Sequence, residues 1–286
     1  MEIMKNIYYK MLCVMPAKIV LYLEHARGYK KVLNLKDPKY FGEKIQWIKL
    51  YGNLQRYSNY VDKYLVRDYV KQKIGDKYLN DIIGIFNRVE EINFEELPNE
   101  FVIKGTHGCG YNLVCQNKRN LNIDEAKKKM KAWLETDFSK IKKEPQYSKI
   151  KPRLLCEKYL YEDGGVLTDY KIFCFNGQPA FIQVIKDREF SQTQDFFDTK
   201  WNRLELRKGR YPSFTREIEK PIVLPELIHI SKSLSEGFPF VRVDFYIIKS
   251  RIIFGELTFT PAGGLSPFEP LEKDIEISKL INLSLY

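Results

Sequence analysis

Apolar positions along the chain change period about a third of the way through, and the change separates helical from strand-rich sequence. The first 60 residues look helical and basic, with mixed aromatics (Tyr8, Tyr9, Tyr22, Trp47, Tyr51) and a break in the middle marked by Pro38 and Gly42. Val66, Tyr69, Val70 and Ile74 share one face of a 3.6-residue repeat, which predicts a helix ended by Gly75. From residue 101 the texture is different. Residues 101–104 read as a short strand, 105–112 as a glycine-rich turn, and 113–115 as a returning strand, so the glycines sit at a hairpin tip rather than ahead of a helix. Asn122 with Glu125 three residues on fits a capping box, and Ala126, Met130, Trp133 and Leu134 follow at helical spacing. Residues 154–160 form a strand. Residues 170–175 and 179–185 form a hairpin around Asn176-Gly177, the dipeptide that suits a tight type I′ turn. After a stretch punctuated by Pro212, Pro221 and Pro225 come a helix over 225–236 and a last hairpin over 240–259. The pattern is α+β, with antiparallel hairpins rather than regular βαβ units.

Composition narrows the partners. The 286 residues carry 47 Lys and Arg against 37 Asp and Glu, a net charge of 47 − 37 = +10, which favours anionic partners. Hydrophobic residues at 44% and aromatics at 14% supply a sizeable core and argue against long disorder. No stretch reaches the ~18–20 apolar residues of a membrane-spanning helix; residues 11–23 hold Pro16 and Lys18 and lack a signal-peptide cleavage pattern. Five cysteines without a C-x-x-C pair read as reduced thiols, and three scattered histidines make a His-rich metal centre a poor expectation. Together these predict a cytoplasmic protein. Residues 127–153 hold ten basic and three acidic residues and read as a solvated face. The N-terminal 60 residues read as a packed cap, with a second reading as a basic–aromatic surface against a membrane or polymer.

Candidate chemistry concentrates in the last hairpin. Val241, Val243, Phe245 and Ile247 form one wholly apolar face, so Arg242 and Asp244 occupy the other. A three-residue loop at 249–251 would put Asp244 opposite Glu256 and Arg242 opposite Thr258, all four on one face. A symmetric two-residue turn at Lys249-Ser250 would put the carboxylates on opposite faces, so the functional reading demands an odd loop or a bulge. Two neighbouring carboxylates repel unless a cation neutralises them, and opposed oxygen ligands suit Mg²⁺. The alternative is an Arg242–Glu256 surface ion pair with Asp244 solvated. The glycine turn is neither a P-loop nor a complete G-x-G-x-x-G, because position 113 is Leu. Directly after Lys104, however, it can place backbone N–H groups and an ammonium on a polyphosphate. Residues 156–160, at a strand end, offer backbone to an adenine edge, with an acid just beyond for ribose hydroxyls.

Taken in order, these elements resemble the ATP-grasp superfamily, most closely its TupA-like branch, associated with teichuronopeptide and other cell-surface polysaccharide biosynthesis. The resemblance runs over about residues 33–265. It implies two α+β subdomains clamping ATP between antiparallel sheets, with a helical N-terminal extension: residues 1–60 helical, 61–160 an N-terminal lobe with the glycine-rich loop, and 161–286 a C-terminal lobe with the metal-binding hairpin. Asp62-Lys63 looks like the motif that opens the nucleotide region, making Lys63 a phosphate or adenine contact. Lys104 resembles the lysine that meets the ATP phosphates, with Gly105, Gly108 and Gly110 in the loop that closes over them. Glu157 and Lys158 would flank the adenine amino group, Leu160 would give backbone contacts, and Glu162 or Asp163 would hold the ribose. Asp244 and Glu256 resemble the Mg²⁺ ligands and Arg242 the support of the transferred phosphate. Thr258 stands where many such enzymes have Asn. Lys171, Lys186 and Arg188 fall where cations for phosphate or acidic substrate are expected.

The resemblance implies an ATP- and Mg²⁺-dependent carboxylate–amine ligase that forms an amide through an acylphosphate. Lys104, Arg242, Lys171 and Arg188 would serve the chemistry. The partners would be ATP, an acidic sugar or peptide, and an amino acid or amine, in surface-polymer synthesis, with peripheral association at the inner face of the membrane compatible with the basic N-terminus. A glycosyltransferase or phosphotransferase of the same pathways is the alternative. Asp195 and Asp198 have the wrong spacing for a D-x-D pair, and a nucleic-acid-binding role lacks aromatic platforms among the basic residues. The acceptor site is expected in the loops of residues 188–216.

Overall fold

The computed structural model describes residue 8 and residues 11–161, 167–186 and 192–286. Within these, two antiparallel sheets carry the fold. Three N-terminal helices, α1 (Ala17–Tyr29), α2 (Phe41–Tyr51) and α3 (Val66–Ile74), precede them. The expected stop of α3 is present: Gly75 caps it at φ 97°. The expected break near Pro38 is a turn over 30–40, but Gly42 lies within the first turn of α2, covered by the Tyr29 ring.

The first sheet contains β1 (Ile82–Phe86), β2 (Phe101–Gly105), β3 (Asn112–Cys115) and β4 (Leu154–Lys158), in the order β1-β4-β2-β3. Between β3 and β4 run α4 (Ile123–Leu134) and α5 (Phe138–Lys142). Asn122 caps α4 by accepting from the Glu125 amide at 3.1 Å. Ala126, Met130 and Trp133 face inward, and the intervening lysines are exposed, the solvated face that the charge run predicts. The strand expected over 154–160 ends at Lys158.

Next come β5 (Asp169–Phe175), β6 (Gln178–Lys186), β7 (Thr193–Asp198), β8 (Arg207–Lys208), α6 (Leu224–Ser235), β9 (Phe240–Ile248), β10 (Arg251–Thr258), β11 (Phe268–Glu269) and α7 (Leu271–Lys279). Five of these strands form the second sheet in the order β10-β9-β5-β6-β7, and β8 pairs with β11. Asn176 and Gly177, at φ 50° and 72°, make the tight turn between β5 and β6, a backbone that an L-residue with a larger side chain adopts only under strain.

The second sheet has two unlike faces. On one, Ile172, Val243 and Phe245 pack with Leu227, Ile230 and Leu234 of α6, side chains whose burial contributes roughly 1.5–3 kcal/mol each. Val66 and Val70 of α3 belong to the same core, so this helix packs with the second sheet. On the opposite face, Phe173 and Phe181 meet Phe268, Phe240 meets Phe173, and Phe41 of α2 stands edge-on to Phe240 and Phe268 at 5.5 and 5.2 Å. This face is therefore aromatic at one end and, two residues further along β5 and β9, charged. The N-terminal helices close the aromatic end and leave the charged end to the cleft between the sheets.

Candidate active site

The turn between β9 and β10 is the two-residue one, Lys249 and Ser250, both at positive φ (47° and 66°). With nothing else, Asp244 and Glu256 would face opposite ways. Instead the register shifts between Phe254 and Glu256, leaving Gly255 as an extra residue, so that Glu256 pairs with Asp244 and Thr258 with Arg242. Space there favours glycine: a Cβ would lie 3.1 Å from the Asp244 carbonyl oxygen, so the neighbouring backbone would have to give by a few tenths of an ångström. The bulge brings all four functional side chains to one face while Phe254 and Leu257 stay with the core.

The next strand completes the constellation. Lys171 of β5 pairs with Asp244, and Asp169 shares its face. Lys171 Nζ donates to Asp244 Oδ2 at 2.6 Å and to Asp169 Oδ1 at 3.0 Å. Arg242 holds both oxygens of Asp244, Nε to Oδ1 and Nη2 to Oδ2, each at 2.6 Å. Burial works to raise the Asp244 carboxyl, but Arg242 and Lys171 outweigh it and hold the group below the usual carboxylate range. Arg242 Nη2 also reaches Thr258 Oγ1 at 3.2 Å and Glu256 Oε1 at 3.5 Å, and the Thr258 hydroxyl donates to Glu256 Oε1 at 3.0 Å. The alternative of a solvated Asp244 is overturned, because Asp244 is buried. Glu256, with its side chain 37% exposed, is the carboxylate with open capacity.

Across the cleft, Lys104 of β2 donates to Glu157 of β4 at 2.6 Å, and Arg67 of α3 reaches the same carboxylate at 3.3 Å. Asp62 is fully buried; it accepts the Tyr64 and Leu65 amides and an Arg153 bond of 2.9 Å, which fixes the start of α3 beside Lys63. Lys63 Nζ in turn donates to the Gly108 carbonyl in the glycine hairpin. Lys63, Lys104, Gly110, Glu157, Leu160, Lys171, Asp244 and Glu256 line one cleft of about 130 Å³.

Several expected contacts lie elsewhere. Lys158 follows Glu157 on an alternating strand, so its exposed side chain points away from the cleft. Gly105 and Gly108 press against the Tyr111 and Phe138 rings instead of lining the cavity. His107 is buried, its Nε2 2.8 Å from the Trp133 carbonyl oxygen, so it packs beneath the hairpin. Lys186 has the parity of Ile182 and Val184, opposite to that of Gln183, the partner of Lys171. Glu162, Asp163 and Arg188 lie outside the described residues.

A second cavity, of about 460 Å³, adjoins the first, and Glu256 and Cys109 line both. It lies under α1 and α5 and includes Leu21, Arg27, Lys142, Tyr147 and Arg242. None of the described residues of 192–216, where acceptor loops were expected, lines either cavity. On its floor Lys49 and Glu144 form a buried pair at 3.7 Å; burial pushes the lysine down and the glutamate up, each opposed by the other's charge. Glu144 also accepts from Thr260 at 3.0 Å. Arg67, Asn80, Asp169 and this pair escaped sequence reasoning. Only Asp169 carried a signal, its i, i+2 spacing from Lys171.

Asp244, Glu256 and Thr258 are hard oxygen donors on one face, a chemistry that fits Mg²⁺, which commonly takes one or two carboxylates and completes its shell with water and substrate phosphates. No cluster of three or more His, Cys, Asp or Glu converges among the described residues, so a cation would rely on such outside ligands. The cations Lys63, Lys104 and Lys171 fit a polyphosphate.

A family model described as TupA-like ATPgrasp matches residues 43–282. Among solved structures, the D-alanine–D-alanine ligase of Bacillus anthracis aligns with TM-score 0.43 and 18% identity, over 79% of this chain and 65% of that one. That of Helicobacter pylori aligns with TM-score 0.43 and 14% identity, over 84% and 68%. An ADP complex of purK, N5-carboxyaminoimidazole ribonucleotide synthetase, aligns with TM-score 0.41 and 13% identity, over 76% and 50%. This chain thus spans a little under two thirds of the Bacillus ligase. Among curated proteins, none matches.

Proposed function

The chain belongs to the TupA-like ATP-grasp family, and on that premise we propose that it is an ATP-dependent carboxylate–amine ligase acting through an acylphosphate. The observation that carries this reading is the shared wall: Glu256 borders both cavities, with Arg242 beside it. ATP would occupy the smaller cleft, its phosphates toward Lys63, Lys104 and Lys171. The acceptor acid would occupy the larger one. The smaller cleft, at about 130 Å³, is well below the ~300–1,000 Å³ of ligand pockets, so nucleotide entry would part Lys104 from Glu157 and draw the glycine hairpin outward.

A carboxylate is a poor electrophile. Its oxygen would attack the γ-phosphorus, breaking the bond to ADP and forming a mixed anhydride; an amine would then attack the acyl carbon and expel phosphate. Mg²⁺ held by Glu256 and Asp244, with Thr258 beside them, would neutralise charge on the transferring phosphoryl group. Lys104, once parted from Glu157, and the largely buried Arg242 would stabilise the same charge. Lys171, fixed by two carboxylates, would keep Asp244 and Arg242 in place. The glycine hairpin would exclude water from the anhydride. A role in joining an amino acid or amine to an acidic sugar or peptide of a surface polymer accords with the net positive charge and with the family.

Amine-dependent phosphate release from ATP and Mg²⁺, in a screen of acidic sugars, amino acids and peptides, tests the reading. Asp244→Asn and Glu256→Gln should each lower turnover by about 10²–10³-fold with the fold retained. Full activity of either variant, or phosphate transferred to a stable hydroxyl ester, would sink it.

A further inference from the structure

Helix α1 is apolar on two sides. Val20, Leu21 and Tyr29 are buried inward, while Ile19 and Leu23, one turn apart, face outward at 48% and 60% exposure. Just ahead of the helix, Met11 and Val14 are 48% and 83% exposed. Single exposed apolar side chains need no explanation, but six of the seventeen large ones among the described residues fall between residues 8 and 32.

Charge identifies the cover. Lys18, Lys30 and Lys31 are exposed in the same segment, and Glu24, the one acid in residues 11–32, lies on the cavity side of the helix with Arg27. Lys143 Nζ donates to the Met15 carbonyl at 2.9 Å, which ties α5, with its exposed Lys140, to the same edge. Exposed aliphatic side chains flanked by lysines and arginines are the pattern of a helix lying in a lipid interface.

We propose that the outer face of α1, with Met11 and Val14 ahead of it, docks on an anionic lipid bilayer. The proposal does not depend on the ligase reading. The inner side of α1 supplies Leu21, Glu24 and Arg27 to the larger cavity, so docking sets that cavity about one helix diameter, ~10 Å, from the lipid surface. A substrate borne on lipid would then reach it without leaving the membrane.

The test is co-sedimentation of the full chain with phosphatidylglycerol-containing vesicles and with phosphatidylcholine vesicles. Binding should require the anionic lipid and weaken as salt rises. Ile19→Glu with Leu23→Glu should lower the bound fraction about tenfold or more, and Lys18→Gln with Lys30→Gln should lower it by roughly fivefold for each charge near the surface. Thermal unfolding of both double variants should match the parent, because the altered side chains face outward. Three results would overturn the proposal: no sedimentation with either vesicle, equal sedimentation of the double glutamate variant, or a dimer that dissolves in that variant while vesicle binding stays absent.

Discussion

Lys171→Met removes the cation that joins two buried acids while keeping the length and apolar stem of the side chain. Lys171 is almost wholly buried, 2.6 Å from Asp244 and 3.0 Å from Asp169. Breaking a buried pair from one side costs about 3–5 kcal/mol, because the remaining charge stays desolvated. Arg242 keeps its double contact with Asp244, so the lower end applies, about 3 kcal/mol. For a chain of 286 residues this corresponds to a fall in Tm of roughly 5 °C. Adding Asp244→Asn to the methionine variant removes one of the two acids that Lys171 neutralised and should recover part of the loss. Urea unfolding of the parent, both single variants and the double variant would give a coupling of about 1 kcal/mol or more between the two sites. A methionine variant within about 0.5 kcal/mol of the parent, or strictly additive losses, would refute the reasoning, since values that small are typical of exposed pairs.

Two further outcomes follow from the packing. Lys208 is buried against Phe268, with its pKa pushed down to about 7 by burial, so the folded chain releases a proton that the unfolded chain holds to ~10.4. Within that window the unfolded state binds more protons; stability should therefore rise from pH 7 to about 8.5, by at most about 1.4 kcal/mol per pH unit, and Lys208→Met should flatten the slope in urea unfolding. An unchanged slope would contradict the assignment. Gly255→Val should cost about 1–3 kcal/mol and disturb Glu256 more than the core, seen as lost nucleotide-dependent stabilisation in thermal unfolding, because the new side chain presses on the Asp244 backbone; undiminished stabilisation would count against the bulge as the device that aims Glu256.

Much of the fold was legible where local chemistry decides it. Asn176-Gly177 dictates its turn, the apolar repeat of α3 stops at Gly75, and the apolar face of β9 leaves Arg242 and Asp244 together. The meeting of Asp244 with Glu256 was legible only as a condition, because a bulge depends on how two strands pack and Gly255 alone does not announce one. Lys158 could have been read correctly, since strand alternation turns it away from Glu157. The larger cavity was not legible at all. Its walls come from α1, α5 and residues 260–265, far apart in sequence, and no short motif marks Arg27, Lys49 or Glu144 as neighbours.

Isotope transfer from acid to phosphate reports an acylphosphate intermediate. A carboxylic acid that supports amine-dependent ATP turnover is supplied with ¹⁸O in its carboxyl group, and the released phosphate is analysed by mass spectrometry. One acid-derived oxygen should appear in each phosphate released with amide product, because the bond formed to phosphorus survives when the amine expels the group. Phosphate carrying only oxygen from ATP and water would contradict the account.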